Sequence, residues 1–101
     1  MFELKWIQDK IEKSTYYFSL HGNQERKNDN LTITEFEEAI LNGRIIEQYA
    51  DTGREESCLV AGFIEQGKLI HIVCAEMENG LLIVTVYVPT PSKFKTIYER
   101  G

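Results

Sequence analysis

Two histidines, His21 and His71, are the side chains of this sequence best suited to moving a proton near neutral pH. They stand in contrasting surroundings: His21 opens the very polar segment HGNQERKNDN, whereas His71 interrupts the apolar run GKLIHIVCAEM. Imidazoles on either side of a scissile phosphate can act as general base and general acid without a metal, given a cation for the charge that develops on the phosphate. Arg26, Lys93, Lys95 and Arg100 are the candidate cations, and Tyr87 is a candidate to orient the reacting groups. Each also has a plainer account. His71 as a hydrogen-bonded sheet histidine, His21 and Arg26 as a solvated loop, and Lys93 and Lys95 as the charged side of a terminal segment that packs Phe94, Ile97 and Tyr98 would all be unremarkable. A buried imidazole without a hydrogen bond costs about 1 to 3 kcal/mol, so His71 must be bonded or exposed.

The frame around these residues is small. A chain of 101 residues with 43% hydrophobic and 27% charged side chains is expected to form one globular domain spanning 1–101. No apolar run reaches the roughly 18 to 20 residues of a membrane span, and Glu3, Lys5 and Asp9 stand where a secretory leader needs apolar residues, which predicts a cytoplasmic protein with no membrane contact. A net charge of -5 argues against non-specific coating of nucleic acid, which depends on many cations, but leaves room for a small basic pocket. Cys58 and Cys74 lack the paired, loop-borne spacing of a metal site; no metal and no cofactor are expected, and both cysteines are read as buried thiols.

Leu4, Ile7 and Ile11 carry a helical period over Phe2 to Lys13. TYYFSL is a candidate short extended piece, and the polar stretch after it is either a helix or a loop. Thr32 and Glu35 form a candidate capping box, with Leu31 and Phe36 at the spacing of a hydrophobic staple. The helix that follows, Ile33 to Asn42, has Ile33, Phe36, Ile40 and Leu41 as its stripe and a left-handed Gly43 as its stop. Four strand-like runs follow: RIIEQYA, CLVAGFIE, KLIHIVCAEM and LLIVTVYV. Short connections make them antiparallel neighbours, so the predicted fold is α+β, with N-terminal helices packed on a four-stranded antiparallel meander.

Register decides which side chains share a face. A two-residue Gln66-Gly67 turn pairs Gly62 with His71 and Leu59 with Cys74, sending Cys58 to the face opposite Cys74. At the next turn, a two-residue Asn79-Gly80 loop pairs His71 with Val88, while a three-residue loop ending in a left-handed Gly80 pairs it with Tyr87. The second is preferred: it gathers His71, Thr85 and Tyr87 on one face and leaves Leu82, Val84, Val86 and Val88 for the helices.

The segments YYFSLHGNQERKNDNLTITEFEEAILNGRIIEQY, CLVAGFIEQGKLIHIV and IVTVYVPTPSKF resemble the bacterial domain of unknown function 4258 family. Ser19, His21, Asn42, Gly43, Gly62, His71, Thr85, Tyr87, Pro91, Lys93 and Phe94 fall on its pattern. That family is similar to small toxins of the RelE, BrnT and MqsR kind, which share a helix-then-sheet fold, cleave RNA without metal and are held inactive by an antitoxin. The resemblance implies a RelE-like fold, RNA as substrate, an antitoxin as partner, and His21, His71, Tyr87 and Lys93 as site residues. One departure stands out: two arginines of the family pattern fall here on Glu25 and Asp29, with Arg26 one place displaced. Two further expectations therefore stand beside the ribonuclease: a non-catalytic interaction module or homodimer, and a regulator whose toxin-like site has degenerated.

Overall fold

The computed structural model describes residues 1–49, 56–65 and 67–89. The order of elements is α1 (Leu4–Glu12), β1 (Tyr16–Phe18), α2 (Leu20–Asn28), α3 (Ile33–Leu41), β2 (Arg44–Tyr49), β3 (Ser57–Phe63), β4 (Leu69–Met77) and β5 (Gly80–Tyr87). The architecture is α+β, as expected, but the sheet has five strands in the order β1-β5-β4-β3-β2 and is mixed. β1 lies parallel to β5, with Tyr17 beside Leu82, and so adds to the antiparallel meander a strand that the expected four-stranded sheet lacked. A parallel pair requires a long crossover, and everything from α2 to β4 supplies it.

Local chemistry explains the helix boundaries. Ser19 caps α2, its hydroxyl accepting from the Gly22 amide at 2.9 Å, which turns the ambiguous polar stretch into a helix. The α2 C-terminus closes with Asn30 left-handed at φ 57, the Asn30 amide on the Lys27 carbonyl and the Leu31 amide on the Arg26 carbonyl, a Schellman motif. Ser14 does the same for α1. Thr32 and Glu35 form the anticipated capping box of α3. Gly43, however, is not left-handed. It is a glycine because a β-carbon there would stand 2.7 Å from the carbonyl oxygens of both Ala39 and Ala61.

Helices α1 and α3 cover one face of the sheet, whereas α2 reaches the Thr85 side of β5, so the expectation of all helices on one face is corrected. Phe36, Ala39 and Ile40 of α3 and Ile7 and Ile11 of α1 pack with Cys58, Val60, Ile70, Ile72, Cys74, Leu81, Ile83 and Val86. Phe36 is central, with the rings of Tyr16 and Phe18 at centroid distances of 5.4 and 4.8 Å. The expected α3 stripe needs correction, since Ile33 and Leu41 are exposed and Ala39 takes their place.

The first turn corrects the expected register, and the second reaches the preferred pairing of His71 by another route. Gln66 itself lies outside the described residues, but Ile64 donates to the Lys68 carbonyl and Gly67 is left-handed at φ 79, so the connection is one residue longer than a two-residue turn. His71 consequently pairs with Ala61, Gly62 with Ile70, and Cys58 with Cys74. Gly62 leaves no space above His71; it lies on the opposite face, where the Ala39 carbonyl would be 1.8 Å from a β-carbon. Cys58 and Cys74 share the helix-covered face instead of being separated.

At the second turn, Met77 pairs with Gly80, and the pairing shifts between Val73 and Cys74, where Val84 is the extra residue of a bulge. His71 does pair with Tyr87, as preferred, but the bulge achieves it and not a longer loop. The bulge also reassigns the apolar face: Leu81, Ile83 and Val86 are the buried β5 residues, in place of the expected set beginning Leu82 and Val84.

Candidate functional site

The N-terminus of α2 is fastened to the β5 bulge. The Ser19 hydroxyl donates to the Val84 carbonyl at 2.8 Å while accepting from Gly22, and the Ser19 amide donates to the Ile83 carbonyl at 2.9 Å. Gly22 permits the contact, because a β-carbon there would lie 2.7 Å from the Ile83 oxygen. This docking lays α2 along β5 and directs His21, Glu25 and Asp29, spaced four residues apart, along one side of the helix.

Those three side chains form a polar seam. His21 Nε2 stands 3.2 Å from Glu25 Oε1, and the same oxygen accepts the Thr85 hydroxyl of β5. One turn on, Asp29 Oδ2 accepts the Val88 amide at 3.2 Å. His21 is exposed, its side chain retaining 70% of its accessibility, so a carboxylate-paired imidazole faces solvent. Arg26 does not join it. Its guanidinium donates to the Leu31 carbonyl at 2.6 Å and to Asn23 Oδ1, and lies over the Phe18 ring at 5.4 Å. That is a helix-closing role, with every named contact directed at protein.

His71 lies on the face opposite α3 and is fully buried, with the Tyr87 ring edge-on at a centroid distance of 5.4 Å. Its row across the sheet reads Arg44, Ala61, His71, Tyr87, and the next reads Glu47, Leu59, Val73, Thr85. Arg44 and Glu47 were not singled out from sequence. The signal that would have found them is strand alternation in RIIEQY, obscured by a register shift between Ile45 and Glu47. Thr85 links the two sites, sharing a face with His71 and Tyr87 while bonding to Glu25 beside His21. Lys93 and Lys95 lie outside the described residues.

A cavity of about 290 Å³ lies elsewhere, lined by Met1, Phe2, Glu3, Trp6, Glu56 and Glu76; neither histidine, Arg26 nor Tyr87 borders it. Its carboxylates would repel a phosphate. Among the described residues, no group of three His, Cys, Asp or Glu side chains is arranged to hold a metal ion, and no helix is long and apolar enough to cross a membrane.

An α+β sheet flanked by helices, with a polar seam between α2 and β5, is the class of structure now in view. The family model for a domain of unknown function, DUF4258, matches residues 18–88, from the end of β1 to the end of β5, and the chain belongs to that family. No curated protein and no solved structure matches it.

Proposed function

We propose that this chain is a toxin-family protein of the RelE-like kind whose RNA-cleaving site has degenerated and whose role is to bind a partner protein. One observation carries the reading: along α2, where a phosphate would need cations, Glu25 and Asp29 are bonded into β5 at Thr85 and Val88. Two carboxylates held in that seam repel RNA, and Arg26 is engaged with Leu31, Asn23 and Phe18. The partner surface is the sheet edge at β1 with the start of α2, where, among the described residues, Tyr17 is 48% and Leu20 87% exposed. An antitoxin-like protein is the expected partner, and self-association into a homodimer the alternative.

A second reading, a metal-independent endoribonuclease, rests on the row that aligns Arg44, His71 and Tyr87 across the sheet, and it requires the fully buried His71 to become accessible to RNA. Incubating the purified chain with RNA beside His21→Ala, His71→Ala and Arg44→Ala separates the two. No cleavage by the wild type is the expected result, with co-purification of an antitoxin-like partner lost on Leu20→Glu. Cleavage by the wild type that disappears in His71→Ala would overturn the binding role in favour of the enzyme.

A further inference from the structure

We infer that Cys58 and Cys74 are a redox-reactive dithiol that closes into a cross-strand disulfide on exposure to a small-molecule disulfide. They are direct partners on adjacent antiparallel strands and lie on the same face of the sheet. Such partners hold their β-carbons about 4.5 to 5.5 Å apart. A disulfide needs about 3.5 to 4.5 Å, so closure asks for an approach of roughly 1 Å and no change of register. Both sulfurs are fully buried, side by side on the helix-covered face. Other pairings within the chain are excluded, because the sequence contains two cysteines and no more.

The chemistry balances with a low-molecular-weight disulfide such as oxidised glutathione. The hydrogen bond to Cys58, with burial, pushes the Cys74 thiol well above its usual range and keeps it protonated. Whichever of the two cysteines first loses its proton to solvent is the nucleophile. Its thiolate attacks one sulfur of the oxidant, the oxidant's S–S bond breaks, and one small thiolate leaves carrying the electron pair. The other cysteine then loses its proton and attacks the protein sulfur of the mixed disulfide, forming the protein S–S bond and releasing the second small thiolate. Two electrons pass from protein to oxidant, and the two thiol protons end on the two released thiols. Because both sulfurs are enclosed, the rate follows transient opening of the sheet over the pair, and sub-denaturing urea speeds it.

The bond would tie β4, the central strand, to β3 at the rung that borders the Val84 bulge on which α2 is docked. The experiment uses the wild-type full chain, so it does not depend on a cysteine variant folding. The protein is held with oxidised glutathione in native buffer, with and without sub-denaturing urea, then unfolded, alkylated and digested. The expected product has lost the mass of two hydrogens, yields one peptide pair joined through Cys58 and Cys74, and regains two alkylatable thiols after reduction. Recovery of both cysteines as alkylated thiols, or of glutathione adducts that never resolve, would overturn the inference.

Discussion

Gly62→Ala is the substitution on which the packing account is most exposed. The new methyl group would lie 1.8 Å from the Ala39 carbonyl oxygen, 2.7 Å from its carbon and 3.0 Å from the Gly43 α-carbon, all backbone atoms. To restore even a tight contact, the end of α3 must retreat from β3 by roughly 1.2 Å. That retreat loosens Phe36, Ala39 and Ile40 against the sheet at once. Overpacking of a well-filled core costs about 1 to 3 kcal/mol, and backbone obstruction puts this case at the upper end, about 3 kcal/mol or more. For a small domain with a urea slope of about 1 kcal/mol per molar, the midpoint falls by about 3 M or the domain fails to fold. Gly67→Ala is the control: a methyl there meets nothing within 4 Å, and only the left-handed φ of 79 opposes it, at about 1 kcal/mol. Urea unfolding followed by circular dichroism compares them. A Gly62→Ala midpoint equal to or above that of Gly67→Ala would refute the placement of α3 on β3.

Ser19→Ala removes the α2 cap and the bond to the bulge carbonyl together, so it should cost about 2 kcal/mol in urea unfolding, against about 1 kcal/mol for Thr32→Ala at the α3 cap. Equal losses would mean that the Val84 contact contributes nothing. Tyr16 is pushed up from its ordinary value near 10.0 by burial first, and then by donating to Glu37 at 2.5 Å. With the folded-state value raised, this contribution is complete below about pH 10 and is lost at higher pH, as the unfolded chain ionises and the folded one does not. The wild-type unfolding midpoint should therefore fall above about pH 10 more steeply than that of Tyr16→Phe, and parallel curves would contradict it.

Features that depend on a few neighbouring residues were legible from sequence: the capping box at Thr32 and Glu35, the apolar period of Ile7 and Ile11, the β-runs after Gly43 and the α+β class. Local hydrogen bonds and side-chain periodicity decide these wherever the segment sits. What tertiary structure decided was the choice among alternatives that local chemistry leaves nearly equal. One added residue before Lys68 moved Gly62 beneath α3 and brought Cys58 opposite Cys74. One bulged residue, Val84, held by Ser19 from the far end of the chain, restored Tyr87 to His71 while reversing the faces of β5 below it. The parallel docking of β1 on β5 and the bonding of Glu25 and Asp29 into that strand arise the same way. Because strand side chains alternate with a period of two, a single-residue slip inverts a face, and only contacts between segments remote in sequence select the register.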